Sequence, residues 1–362
     1  MLRLMLAVTL CLLVAGCTSI AYYAQAVGGQ IRLMAGTRPI AEVVSDASTD
    51  PQLRQQLESA IAIREFASSE LALPNNGSYR SYADLGRPFV VWNVFAAPEF
   101  SVEPQQWCML FAGCVNYRGY YDKNNAERFA MELSQEGMDA YVGGVRAYST
   151  LGYFNDPVLN TFLRFGDEEV AQIIFHELAH QIVYAEADSA FNESFATTVE
   201  NEGMRRWLAR SSSPERLGDF ERQQERKVQF HQLVTDSRDK LRAIYASSLA
   251  ADAKRHAKME VFTEMKRAYA GLKVSWGGHG DYDRWFNQPL NNATMGSVSL
   301  YTKWVPAFQA MLEREGGNLP NFYLHVAELA HLPNTERTAA LNQFLPGSTV
   351  SAEILPNRLT FK

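Results

Sequence analysis

In the segment QIIFHELAHQIVYAE, His176 and His180 stand four residues apart. On an α-helix that spacing puts both imidazoles on one face, a turn apart, close enough to share a metal ion. Glu177 points slightly round the same face, so it reaches a water at the metal without being a ligand, as a general base must. Ile173, Ile174, Leu178, Ile182 and Val183 mark the helix as buried. Two histidines and a glutamate in such a helix need partners to offset desolvation, and zinc supplies them. A hydrolytic zinc site takes three protein ligands and keeps one position open for water, so a third ligand must lie nearby. Glu186 and Glu193 compete for that role. A helix running on through Ile182, Val183 and Tyr184 carries Glu186 away from the ion. Glu193 follows the turn-prone AEADSA, near the start of a second helix that packs back on the first. The expectation is one zinc ion per chain, held by His176, His180 and Glu193.

The elements that must position these groups are read from periodicity. Ile20 to Ala35 and Asp50 to Leu71 have helical spacing of apolar residues. Asn75 to Tyr82 is a turn-rich link. Pro88 to Phe100, Val115 to Tyr121 and Ala140 to Phe154 have strand composition, with Gly143-Gly144 as a bulge, and Asn124 to Glu136 is helical. From Asp167 the chain becomes nearly continuous helix. Glu215 to Leu272 reads as an antiparallel hairpin broken near Ser247-Ser248, its charges forming a solvated face. Gly277 to Thr294 is a loop, and Ser299 to Leu332 is helical again.

The chain has 362 residues, 47% of them apolar, and a net charge of −6, enough for a substantial core. Its basic residues form no arm or tail, which argues against a nucleic-acid partner. MLRLMLAVTLCLLVAGC, with Arg3 before an apolar run, reads as a secretory signal too short to span a bilayer. The expected divisions are a signal at 1–16, N-terminal helices, sheet and zinc helices at 17–212, the hairpin at 213–275 and C-terminal helices at 276–362.

Val14-Ala15-Gly16-Cys17 resembles the lipobox of bacterial lipoproteins, which implies a lipidated Cys17. Thr18 in the next position then implies the outer membrane, facing the periplasm. Loss of Cys11 with the signal and acylation of Cys17 leave Cys108 and Cys114, expected as a local disulfide in an oxidising compartment, with two buried thiols as the alternative.

The His176, His180, Glu193 arrangement resembles the gluzincins, the thermolysin-like class, whose third ligand is a glutamate on the following helix, often in an Asn-Glu pair like Asn192-Glu193. The twelve residues between His180 and Glu193 make a shorter link than in the thermolysin or leukotriene-hydrolase branches. The metzincin pattern, which would favour Glu186, needs a glycine where this chain has Val183. More widely, YYAQAVGGQIRLM, RPFVVWNVFAAPEFS, WCMLFAGCVNYRGYY, GGVRAYSTLGYFNDP, HELAHQIVY, FNESFATTVE and NNATMGSVSLYTKWVPAF are similar to a family of bacterial lipoproteins labelled predicted aminopeptidases.

The resemblance implies an α+β, mostly helical fold: a small mixed sheet with an edge strand over the HExxH helix, a zincin core, a long helical hairpin and C-terminal helices. It implies a strand at Gly143 to Phe154 pairing with an extended peptide, with Gly143, Gly144 and Tyr148 as substrate-binding candidates. Tyr301 or His279 would stabilise the oxyanion, and Glu99 or Glu202 would receive the free ammonium of an aminopeptidase substrate. A zinc aminopeptidase is the leading reading, beside a zinc endopeptidase, a non-catalytic peptide-binding lipoprotein and a purely structural envelope protein.

Overall fold

The computed structural model describes residues 22–109, 113–210, 214–298 and 303–345. Cys17 and Tyr301, the proposed lipid site and one oxyanion candidate, lie outside these residues, as does the proposed signal segment. Among the described residues no helix is long and apolar enough to cross a membrane.

Residues 22–35 form helix α1. Strand β1 (Arg38–Pro39) leads into α2 (Ile40–Ser45) and then α3 (Pro51–Ser69). Helix α3 starts where Asp50 accepts the backbone N–H groups of Gln52 and Leu53 and Pro51 fills the first turn. Next come β2 (Ser81–Ala83), β3 (Val91–Pro98), β4 (Trp107–Met109), β5 (Gly113–Val115) and β6 (Arg118–Tyr120). Helix α4 (Lys123–Gln135), capped by Asp122, precedes β7 (Met138–Val145), β8 (Val158–Leu159) and α5 (Asn160–Leu163). The central pair is α6 (Asp167–Ala179) and α7 (Ser189–Arg210). The hairpin is α8 (Pro214–Ala246) with α9 (Ala251–Ser275). Short α10 (Asp283–Phe286) and α11 (Asn292–Gly296) are followed by α12 (Val305–Arg314), α13 (Leu319–Ala330) and α14 (Asn334–Asn342).

The fold is α+β and mostly helical. One sheet has the antiparallel order β6-β3-β7, a second the order β1-β2-β8, and β4-β5 is a separate hairpin. Strand β3 is central, and its run Trp92–Ala97 is buried, because α4 and α11 pack against it. A larger core joins α3, α6, α7, α12 and α13, where Phe191 and Phe195 meet Phe308, and Phe195 also meets Phe322. The α8–α9 hairpin builds a core of its own with Phe230, Val234, Phe262, Met265 and Tyr269, closed by Phe286 of α10 and Met295 of α11. It is fastened to the first sheet by the buried Lys258, whose Nζ lies 2.6 Å from Asp139 Oδ2 and donates to the Glu99 carbonyl at 3.0 Å.

Several expectations need correction. The ladder from Val91↔Val145 to Pro98↔Met138 is continuous, so Gly143 and Gly144 sit in regular pairing without a bulge. The glycines instead admit neighbouring rings, since a Cβ on Gly144 would stand 2.4 Å from the Phe89 ring. Val115 to Tyr121 is divided between β5 and β6, and Gly277 to Thr294 contains α10 and the start of α11. Strand β7 ends at Val145, and the chain beyond it gives its hydrogen bonds to side chains. Thr150, for example, donates its backbone N–H and its hydroxyl to Asp156, at 2.8 and 2.9 Å.

That irregular stretch, and no strand, follows the histidine helix. Arg146 pairs with Glu169 in the first turn of α6 at 2.6 Å, while Gly152 lies against Gln181 just past its end. Residues 146–152 thus reach from the first turn of α6 to just past its last.

Candidate metal centre

Helix α6 begins with Asp167, Glu168 and Glu169 at its positive end and buries Val170, Ala171, Ile174, Phe175 and Leu178. It ends at Ala179 with His180 as its C-cap, earlier than its apolar residues suggested, so Ile182 to Tyr184 do not continue the helix. The turn to α7 is pinned from several sides. Asn192 accepts the Ala185 N–H at 2.7 Å and donates to the Ala185 carbonyl at 2.8 Å, Ala187 takes a left-handed φ of 57°, and Asp188 accepts the Phe191 N–H at 3.1 Å. Asp188 also receives Asn334 and Arg337 from α14, at 3.0 and 3.3 Å.

Helix α7 then returns antiparallel along α6. Close approach is possible because Gly203 has no side chain: a Cβ there would lie 2.7 Å from both Leu71 Cδ1 and Phe175 Cδ2. The consequence is a cluster of His176, His180 and Glu193 whose ligand atoms all lie within 4.8 Å of one another. His176 Nε2 is 3.3 Å from Glu193 Oε2, and His180 Nε2 is 3.8 Å from Glu193 Oε1. Tetrahedral ligands about 2.1 Å from zinc are about 3.4 Å apart, and the two ring-to-carboxylate distances of 3.3 and 3.8 Å lie near that value. His180 Nδ1 is buried without a hydrogen-bond partner, and its Nε2 stands beyond hydrogen-bond reach of the carboxylate. A neutral imidazole so placed lacks what a cation would supply, and two imidazoles with one carboxylate suit zinc, so the residues fit the ion.

Glu186 is exposed and outside the cluster. A residue not anticipated from the sequence is Glu200, whose Oε2 lies 3.0 Å from His176 Nδ1 and fixes the ring so that Nε2 faces Glu193. Its signal was available: Glu200 lies seven residues, two helical turns, after Glu193 and so shares its face. Replacing Glu200 by Gln keeps the shape and removes the charge. Zinc affinity is then expected to fall by about 10- to 100-fold, read by competition with a chromogenic chelator, and an unchanged affinity would remove Glu200 from the site.

The protonation of the metal-free cluster sets how it loads. Burial works to lower the pKa of His176, but the bonds to Glu193 and Glu200 prevail and hold it well above the ordinary value. His180 is pushed down to about 4 by burial, against the pull of Glu193 and with help from the His176 charge. At neutral pH His176 therefore carries a proton that a metal must displace, and His180 carries none. Zinc binding at pH 7 is expected to release about one proton, with affinity rising up to about tenfold per pH unit until the His176 pKa is passed. Isothermal titration in buffers of different ionisation enthalpy measures this directly, and pH-independent affinity would contradict it.

Glu177 is partly buried, and desolvation pushes its carboxyl up to about 7, with His176 opposing and Glu193, Asp156 and Glu200 adding. Also unanticipated is Tyr117, whose ring packs against Phe95 of β3 at 5.9 Å between centroids. Its pKa is raised chiefly by burial and further by the charges of Glu193 and Glu177, which places it beside the cluster.

The remaining sequence candidates lie elsewhere or are engaged. His279 is exposed and lines a surface cavity with Glu168, at the opposite end of α6 from the histidines. Glu99 holds Arg255 at 2.7 Å, and Glu202 holds Arg206 at 2.8 Å. The Tyr148 hydroxyl meets that of Tyr121 at 2.5 Å and also contacts Gln30. Gly143 and Gly144 belong to an edge strand paired only with β3. Cys108 and Cys114 are cross-strand partners in β4-β5 and are joined by a disulfide.

Fold and site together define a mostly helical α+β protein that has, among the described residues, a partly buried His-His-Glu cluster able to hold a metal, flanked by a further carboxylate. The sequence profile of the family described as "putative aminopeptidase" matches residues 21–341, and the chain belongs to that family. No curated protein and no solved structure matches it.

Proposed function

We propose that the protein is a zinc-dependent metallopeptidase of gluzincin-like construction that acts as an aminopeptidase at the cell envelope, anchored through a lipid on Cys17 in the outer membrane and facing the periplasm. The observation that carries the catalytic part is the convergence of His176, His180 and Glu193 from two antiparallel helices, with Glu177 beside them. The family description supports a peptidase. The lipid anchor rests on the sequence of residues 14–17.

Zinc held there supplies Lewis-acid polarisation of the scissile carbonyl and lowers the pKa of water toward about 7. Glu177 takes a proton from the attacking water and passes it to the leaving amine. Burial makes the Glu177 carboxyl more basic than an exposed one, which favours its taking the water proton. Glu200 keeps the His176 ring in place. Tyr117, near enough to the cluster to feel the Glu193 and Glu177 charges, is the candidate O–H donor to the developing oxyanion. Tyr117→Phe is expected to lower kcat by about 100-fold with little change in KM, and a change confined to KM would remove it from that role.

The test is metal analysis of the soluble form beside peptidase assays: one zinc per chain with hydrolysis supports the reading, and no bound metal refutes it. A specific observation keeps endopeptidase action as a second reading, because Glu99 and Glu202 are neutralised by arginines and neither is free for a substrate ammonium. Aminoacyl chromogenic substrates against N-blocked peptides separate the two.

A further inference from the structure

Most exposed apolar side chains are scattered singly, but Tyr153 and Phe154 are adjacent, 86% and 49% exposed, on the stretch that runs beside α6. They stand on a tip with a built conformation. Leu151 and Gly152 take left-handed φ values of 55° and 82°, and Leu151 N–H donates to Ser149 Oγ at 3.0 Å. Tyr153 N–H donates to the Thr150 carbonyl at 3.0 Å, and Phe154 N–H to Thr150 Oγ1 at 3.1 Å. Thr150 is tied in turn to Asp156, which is only 4% exposed and whose carbonyl accepts the Tyr79 N–H. A left-handed leucine is strained and persists only where surrounding bonds over-determine it.

The tip is also located. Gly152 lies against Gln181, the residue after His180, and the Gln181 amide is held by Asn76, which donates to it at 2.7 Å, and by its own bond to Ser78 Oγ at 3.2 Å. Tyr184, 41% exposed, lies near enough to Glu193 to feel its charge. Two consecutive aromatic rings thus stand in water on a tip that rests against the residue following His180, and a third, Tyr184, is near the acidic member of the cluster.

We propose that Tyr153 and Phe154, with Tyr184, form the subsite for the substrate side chain next to the scissile bond, so that the preferred peptides carry a large apolar or aromatic residue there. This rests on the metallopeptidase reading. Partial burial of a Leu or Phe side chain against these rings corresponds to an affinity gain of about tenfold or more over Ser or Asp.

The experiment has a binding arm and a turnover arm. Zinc-loaded Glu177→Gln protein is titrated with fluorescent peptides that differ only in one residue (Leu, Phe, Ser or Asp), and the unmutated enzyme is assayed on the matching unlabelled peptides. Leu and Phe are expected to bind about tenfold tighter and to show correspondingly higher kcat/KM, and the double substitution Tyr153→Ser, Phe154→Ser is expected to bring both ratios close to one. Its zinc content and thermal midpoint certify folding, and Phe154→Leu is expected to restore part of the preference. Retention of the full preference by the double variant, or a wild-type preference for Ser or Asp, overturns the proposal. Failure of the catalytic reading looks different: no zinc is bound or no peptide is cleaved, while titration of the same protein without added zinc still shows whether Tyr153 and Phe154 set the side-chain preference.

Discussion

Glu177→Gln is expected to yield a protein that keeps one zinc ion per chain and binds peptides, yet hydrolyses them about 100- to 10,000-fold more slowly than the unmutated enzyme. The amide fills the volume of the carboxyl and takes no part in holding the metal, since the ligand atoms belong to His176, His180 and Glu193. What is lost is the group that receives the proton of water and returns it to the amine. The effect should fall on kcat, with KM little changed, because proton transfer belongs to the transition state. Zinc analysis together with steady-state kinetics reads both halves, and activity within tenfold of the unmutated enzyme would place the base elsewhere.

Glu193→Ala should behave differently, losing metal and activity together. Glu193 faces both ring nitrogens, at 3.3 and 3.8 Å, and two imidazoles alone leave the ion one protein ligand short of the three that a hydrolytic site takes. After dialysis against a chelator that the unmutated protein survives with its ion in place, the variant is expected to retain none and to show no hydrolysis above background. Its fold should persist, because the Asn192 bonds to Ala185 and the Asp188 cap hold the start of α7 independently of the ion. Retention of a full complement of zinc would transfer the third-ligand role to another group.

The contrast between these variants reflects what could be read from residues alone. His176, Glu177 and His180 were legible because a four-residue interval has one geometric meaning on a helix. Glu193 was legible because AEADSA signals a turn, though the reason for rejecting Glu186 was mistaken. The helix stops at His180, and the pinned turn, with Ala187 left-handed, is what leaves Glu186 in solvent. Long amphipathic helices such as α3, α4 and the α8–α9 hairpin were also visible in the pattern, as was the central strand β3. Less legible were features set by distant partners. Residues 146–154 have strand composition, but Thr150 and Asp156 divert their hydrogen bonds, and composition is blind to such diversion. Glu99 looked available because nothing in its neighbourhood announces an arginine from elsewhere: Arg255 is 156 residues away. Glu202 is different, since its partner Arg206 stands four residues on along the same helix and could have been read from the spacing. Tyr117 was missed for the same reason as the Arg255 pairing, since only the folded chain brings it to Glu193.

Gly203 lies ten residues beyond Glu193, about 15 Å along α7, and touches no part of the cluster. Yet it sets how near that helix can lie to α6, and the ligands are divided between those two helices. A single methyl group added there would act as a wedge and draw Glu193 away from the two imidazoles. The spacing of His176, His180 and Glu193 is thereby governed in part by a remote residue with no chemistry of its own.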